Sequence, residues 1–303
     1  MMVWATVVAA GSWAVSCRWV SLGDGLGNRG RGSPVRGVVS LGDGLSDAQP
    51  LPVRPRRIAD GARLLAMSDG TQVAFLGLGV MGQHMAMRTA RAGNDMVVYN
   101  RTAPKALAWV ARFGHQAAPT PAEAAAGADV VAMCVGNDDD VREVVYGDSG
   151  VLATMKEGSI LVDHTTASAD LARELAAACA EKGIGFVDAP VSGGQAGAEN
   201  GQLTLMCGCD DEDVFQRAHE VIAPYARSCR LLGPAGSGQL TKMVNQICAV
   251  GVIQSLAEAI NFAQKAGLDV DEVVEVISKG ASQSWQMENR ALTMAAGEFD
   301  FGF

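Results

Sequence analysis

The sequence predicts a doubly wound α/β domain, a parallel sheet with helices on both faces, followed by an all-helical domain around one long helix. Three observations predict it. Short apolar runs recur from Thr71 onward, Ala-rich segments at helical spacing lie between several of them, and after Gly233 the runs stop and a long apolar helix begins. Runs that stay apolar throughout, instead of alternating, are strands covered on both faces, as a parallel sheet requires.

The elements follow in order. "VAFLGLGVMG" is an apolar run that ends in glycines, and "MVVY" at 96–99 is a second, shorter run. "DVVAMCV" at 129–135, "SILVD" at 159–163, "GFVDAP" at 185–190 and "LTLMC" at 203–207 continue the series, with a helix-patterned segment at 169–182. Residues 239–266 read as one helix of about 40 Å at 1.5 Å per residue, with Ser237 as N-cap and Gly267 as stop. "DVDEVVEVISKG" reads as a second helix ending at Gly280. The expected division is therefore an α/β domain at 67–233 and a helical domain at 234–303. The latter holds few helices for a core of its own.

Residues 1–66 differ in kind. They contain no Lys and no Glu, but eight Arg, four Asp, ten Gly and four Pro, and "VSLGDGL" occurs in them twice. Eight Arg against four Asp give +4, so the net charge of −9 leaves −13 on the remainder. Two copies of so polar a unit are too few for a stacked repeat. The opening "MMVWATVVAAGSWAV" lacks a basic n-region and is too short to span a bilayer. The segment reads as a disordered or non-native extension. Its Arg content leaves organelle targeting open, while its Asp residues and glycines fit a transit peptide poorly.

The acidic balance argues against nucleic acid or an anionic membrane as the main partner, and no other stretch reads as a membrane anchor. Seven cysteines show no CxxC pair, and no histidine follows at zinc-ligand spacing. Reduced thiols, a cytoplasmic setting and no structural metal are expected.

Two constellations carry chemistry. In the first, Gly77-Leu78-Gly79-Val80-Met81-Gly82 is a G-x-G-x-x-G directly after a strand and at the start of a helix. The glycines serve a tight turn, backbone approach to a pyrophosphate and close helix–strand packing, and the helix N-terminus offers N–H groups to phosphate. The second strand ends in Asn100-Arg101-Thr102, with Lys105 close behind and no carboxylate. An NAD site would place Asp or Glu here, whereas Arg101 suits a ribose 2′-phosphate. NADP is the expected cofactor, with NAD as the alternative and a plain surface arginine as the bland reading.

In the second constellation, Ser192, Gly193 and Gly194 present consecutive backbone N–H groups that suit a carboxylate; a loop needing glycine for its turns is the alternative. "GSGQLTKMVNQ" begins like a phosphate-binding loop, but Gln239 and Leu240 stand where Lys and Ser or Thr should be. Lys242 instead shares a helix face with Asn245 and Gln246. From this stretch alone two readings stand, a partly desolvated general acid/base and a lysine snorkelling on a solvated face.

Taken in order, "FLGLGVMGQHMA", "VDHTTAS", "DAPVSGGQAGAENGQLTLMCG" and "GSGQLTKMVNQ" resemble the β-hydroxyacid dehydrogenases, the group holding 3-hydroxyisobutyrate dehydrogenase and tartronate semialdehyde reductase. The likeness runs over about residues 71–303. It implies a Rossmann domain followed by a helical domain around a long interdomain helix, and oxidation of a small anionic hydroxyacid, or reduction of its semialdehyde. It implies that Lys242 is the catalytic lysine, that Ser192, Gly193 and Gly194 hold the substrate carboxylate, and that Asn245 belongs to the polar face beside the lysine. Many members carry Asn-Asn there; with Asn245-Gln246, which of the two orients substrate stays open. Thr166 corresponds to a residue near the nicotinamide, and Val135, Gly136 and Asn137 to the lining of the cofactor cleft. Family members continue past "F-x-x-GF" into a Lys-Asp-Leu motif that adds a second lysine, and this sequence ends before it, at Phe303. A C-terminally incomplete site is thus expected, with a non-catalytic dinucleotide-binding or interaction module as the competing reading. Exposed apolar helix faces imply self-association, with a homo-oligomer as the expectation.

Overall fold

The computed structural model describes residues 2–9, 12–19 and 70–300. The chain forms two compact units, 1–63 and 64–303. In the first, β1 (Met2–Ala9) and β2 (Ser12–Trp19) pair antiparallel, with Met2 opposite Trp19. The rest of the expected extension, and its boundary near residue 67, lie outside the described residues.

The second unit is built on a six-stranded sheet. Its strands are β3 (Gln72–Leu76), β4 (Asp95–Tyr99), β5 (Gln116–Ala117), β6 (Val130–Met133), β7 (Ile160–Asp163) and β8 (Gly185–Asp188). They run parallel in the order β5-β4-β3-β6-β7-β8. Relabelled from the first strand, that is the 3-2-1-4-5-6 order of a Rossmann fold, with the chain reversing direction between β3 and β6.

The all-apolar strand sequences are explained by two cores. On one face Phe75, Val98, Val130, Ala132 and Val187 meet α1 (Gly82–Arg91), α2 (Ala103–Phe113) and α7 (Glu212–Ile222). On the other, Leu76, Val131, Met133 and Leu161 meet α3 (Pro121–Ala125), α4 (Asp138–Tyr146) and α5 (Ala169–Ala180). Strand β6 shows the alternation: Val130 and Ala132 belong to one core, Val131 and Met133 to the other. Each fully buried Val or Leu contributes about 1.5–3 kcal/mol. Trp109 on α2 is buried against Phe113 and donates its indole N–H to the Gln83 carbonyl of α1 at 3.0 Å.

The "LTLMC" run departs from the expected parallel series. It is β10 (Leu203–Cys207), central in a separate sheet between β9 (Val191–Ser192), antiparallel to it, and β11 (Ala226–Leu231), parallel. A bridge between Asp188 and Gly208 ties this sheet to the end of β8. Helix α6 (Gly194–Asn200) fills the turn between β9 and β10.

Helix α8 (Ser237–Lys265) has 29 residues, about 43 Å. With α9 (Val270–Ile277) and α10 (Trp285–Ala296) it shares a small core of Leu256, Ile260, Val274, Met287 and Ala291. Gly267, with φ of +71°, follows its last residues as expected. Ser237 does not cap it: the N-cap is Gly236, φ +91°, which has no side chain to offer. Although no stretch here was expected to be a membrane anchor, α8 is sufficient to cross a membrane by length and hydropathy alone.

Candidate active site

The glycine loop sits where the chain direction reverses, between the C-terminal ends of β3 and β6. Gly77, φ +92°, leaves no room for a side chain, since a Cβ there would fall 2.2 Å from the Cys134 carbonyl. A Cβ on Gly82 would meet the Gly77 carbonyl at 1.9 Å. Gly79 is different: nothing lies within 4 Å of its would-be Cβ, and the space opens into a cleft of about 560 Å³. Helix α1 begins there with no side-chain cap, so no side chain stands between its positive dipole end and whatever enters. The loop is held by Asn100, whose Oδ1 accepts the Leu78 N–H at 2.8 Å, and by the Gly77 N–H donating to the Tyr99 carbonyl at 2.9 Å.

The same cleft gathers Gly77, Gly79, Val80, Met81, Gly82, Asn100, Arg101, Thr102, Val135 and Gly136. Three expected cofactor residues are not among those lining it. Leu78 is buried behind the loop, Asn137 caps α4 by accepting the Asp140 N–H at 3.0 Å, and Thr166 is exposed after β7. The unfilled glycine cradle, the uncapped helix and the cations Arg101 and Lys105 fit a dinucleotide. Arg101 is not a free fork, however. Its guanidinium pairs with Asp140 across the cleft at 2.8 Å, while remaining 83% exposed.

The second group of residues gathers around the start of α8. Asp188, wholly buried, accepts the Gly236 N–H at 2.8 Å with one oxygen and the Gln239 N–H at 2.9 Å with the other. The side chain missing from the N-cap is thereby supplied from 48 residues away. Burial raises the Asp188 pKa, against these backbone donors. Gln239, 1% exposed, makes two more bonds. Its Nε2 donates to the Thr165 carbonyl at 2.7 Å, and its Oε1 accepts the Ala167 N–H at 3.0 Å. Three residues on, Lys242 is 8% exposed, and its ammonium has no hydrogen-bond or ion-pair partner among the described residues. Burial alone pushes its pKa below the ordinary lysine range.

The rest of the expected polar face is looser. Asn245 is half-buried and donates to Gln246 at 2.9 Å, while Gln246 itself is exposed. Met243, Val244 and Ile247 point to solvent. Ser192 lies at the end of β9 and is held there by pairing with Thr204. Gly193 and Gly194 have φ of +133° and +60°, so glycine is required at both, and α6 starts at Gly194 without a capping side chain. Gly194 also has open space around its would-be Cβ. Sequence reasoning missed Asp188, Gln239 and Asp140. The signal for the first was an otherwise apolar strand ending in a carboxylate.

The end of β7 joins the two groups. The Val135 N–H, in the cleft wall, donates to Thr165 Oγ1 at 3.1 Å, and the Thr165 N–H to Asp163 at 2.8 Å. Asp163 is buried and in register with Asp188 on β8. Desolvation pushes its pKa up to about 7, opposed by the Thr165 bonds. Next to it His164 is held neutral by burial, its pKa lowered to about 4, with Nδ1 2.8 Å from the Ala189 carbonyl and Nε2 2.8 Å from the Tyr225 hydroxyl.

Comparison with known proteins agrees with this geometry. A family model described as the NAD binding domain of 6-phosphogluconate dehydrogenase matches residues 72–233. One described as the NAD-binding region of NADP-dependent 3-hydroxyisobutyrate dehydrogenase matches residues 236–303. An uncharacterized oxidoreductase of Shewanella frigidimarina is 60% identical, over 77% of this chain and 79% of its own. A probable 3-hydroxyisobutyrate dehydrogenase-like mitochondrial protein of Arabidopsis thaliana is 39% identical, over 76% of each chain. Among solved structures, 3-hydroxyisobutyrate dehydrogenase of Mycobacterium tuberculosis with L-serine superposes with a TM-score of 0.69. It has 32% identity, covering 77% of this chain and 81% of that one.

Proposed function

Because the chain belongs to the β-hydroxyacid dehydrogenase family, we propose that it interconverts a small β-hydroxyacid and its semialdehyde, with NADP as the preferred cofactor and Lys242 as the proton carrier. At the coarser level it is an NAD(P)-dependent oxidoreductase of the 3-hydroxyisobutyrate dehydrogenase family. The observation that carries the finer reading is Lys242 at the root of α8: the residue is 8% exposed, while its Nζ has no partner among the described residues and stays open to whatever enters the site.

A nicotinamide dinucleotide, when bound, would supply the acceptor for the hydride on the hydroxyl-bearing carbon of the substrate. The residues of the chain do the rest. Lys242, deprotonated more readily because of its burial, takes the hydroxyl proton as the C–O bond becomes a carbonyl, and returns it in the reverse direction. Asn245 positions that oxygen, with Gln246 beside it. The N–H groups at Ser192, Gly193 and Gly194 hold the carboxylate. The glycine loop carries the pyrophosphate, and Arg101 and Lys105 favour a 2′-phosphate, with Arg101 sharing its charge between that group and Asp140. Fixing two reactants in a cleft removes much of the entropic barrier.

The test is a turnover scan of short β-hydroxyacids with NADP⁺ and with NAD⁺, beside fluorescence titrations of NADPH and NADH. Turnover of a 3-hydroxyisobutyrate-like acid, better with NADP⁺, is expected. No turnover of any such acid would remove the substrate reading, and equal affinity for the two reduced cofactors would remove the NADP preference.

A further inference from the structure

The Gln239 side chain lies between the two halves of the site and touches neither ligand region directly. Its amide spans two backbone groups of the segment after β7, the Thr165 carbonyl at 2.7 Å and the Ala167 N–H at 3.0 Å. Thr166, exposed, stands between them. On the other side of that segment, Thr165 Oγ1 accepts the Val135 N–H of the cofactor cleft at 3.1 Å. The Gln239 backbone N–H is separately fixed to Asp188 at 2.9 Å. One residue therefore fastens the first turn of α8 both to the end of β8 and to the wall of the cofactor cleft, and Lys242 follows within a single turn of the helix. The amide is 1% exposed, so water does not compete for its bonds, and only a group with one donor and one acceptor in this geometry can replace both.

We propose that Gln239 is a positioning residue: its amide clamp sets where Lys242 stands relative to the cofactor cleft. The inference rests on the assignment of Lys242 as proton carrier. A primary amide is required because a carbonyl and an N–H must be met together. Methionine of similar length fills the space and meets neither. Glutamate meets both only while protonated, when its O–H donates to Thr165 and its carbonyl accepts from Ala167.

The experiment compares wild type with Gln239→Met and Gln239→Glu by three measurements on the full chain. These are steady-state kinetics, melting temperature, and the pH dependence of Lys242 acylation mapped by mass spectrometry. For Gln239→Met, kcat falls tenfold or more while KM for NADP⁺ stays within twofold, and the acylation pKa of Lys242 moves up toward that of an exposed lysine. For Gln239→Glu, activity relative to wild type climbs as pH falls, as the buried carboxyl takes up its proton; a role in stability alone would not produce that profile. Unchanged kcat and unchanged Lys242 titration in Gln239→Met overturn the proposal, whatever happens to the melting temperature. So does a pH-independent Gln239→Glu ratio. If wild type turns over no hydroxyacid, the substrate reading fails, and the Lys242 titration still decides for or against the clamp.

Discussion

The carboxylate of Asp188 accepts the backbone N–H of Gln239 at 2.9 Å, and so caps a 29-residue helix from a strand end 51 residues earlier in the chain. Both oxygens are in use, the other taking the Gly236 N–H at 2.8 Å. Replacing Asp188 with Asn turns one acceptor into a donor that faces another donor, at a residue closed off from solvent. A buried polar group left unsatisfied in this way costs about 1–3 kcal/mol. Asp188→Asn is expected to lower the urea midpoint accordingly, and a midpoint equal to wild type would show that the helix is held by other contacts.

Lys242 costs stability where it stands. Its pKa is lowered in the folded state, so the unfolded chain binds its proton more tightly, and the protein gains stability as pH rises toward the ordinary lysine range. Lys242→Met removes an unpaired ammonium and keeps the volume. It is expected to abolish turnover, spare NADPH binding, and raise stability by about 1 kcal/mol, or roughly 2–4 °C. A melting temperature that falls in scanning calorimetry would contradict the burial argument.

The glycines of the loop separate into two kinds. Gly82→Ala drives a Cβ into the Gly77 carbonyl and should destabilise by about 1–3 kcal/mol, or prevent folding. Gly79→Ala meets nothing in the protein. It should keep the wild-type melting temperature within about 1 °C, since surface changes stay within about 0.5 kcal/mol, yet weaken NADPH binding tenfold or more. Isothermal titration checks this, and undiminished affinity would mean that no phosphate approaches Gly79.

Asp163 and His164 oppose each other in their response to acid. The folded pKa of Asp163 is raised to about 7, so the native state takes up that proton first and gains stability as pH falls from about 7 toward the unfolded value near 4. The folded pKa of His164 is lowered to about 4, so the unfolded state takes up that proton first and stability is lost below about 6.5. Each effect has a slope of about 1.4 kcal/mol per pH unit, and between roughly pH 6.5 and 4 they cancel. In His164→Asn the Asp163 contribution is unopposed. The urea midpoint of that variant, relative to wild type, should rise as pH is lowered through this window; a constant difference would refute the assignment.

Much of the fold was legible because it is written in local patterns. All-apolar runs marked β3, β4, β6, β7 and β8, and the glycine spacing marked the loop, since each glycine answers to a contact within a few residues or to the next strand. The start of α8 was not legible in the same way. Ser237 looked like a cap by its type, but the cap comes from Asp188, and nothing local announces a partner 48 or 51 residues away. Gln239 stands where a phosphate loop would place a lysine, but its amide serves backbone groups at 165 and 167, far off in the chain. Strand β11 was missed because the burial of "ARSCRL" is only partial, so its composition lacks the apolar continuity that betrayed the others. The Arg101–Asp140 pair was likewise invisible, as it joins the loop after β4 to the first turn of α4, 39 residues later in the chain.

Trp109 gives the molecule an optical reporter. Its indole is 4% exposed and fastened by a 3.0 Å bond to Gln83, one residue into the helix that opens from the glycine loop. Its emission therefore responds to displacement of that helix. Arrival and departure of the dinucleotide can thus be timed by stopped-flow fluorescence on the unlabelled protein.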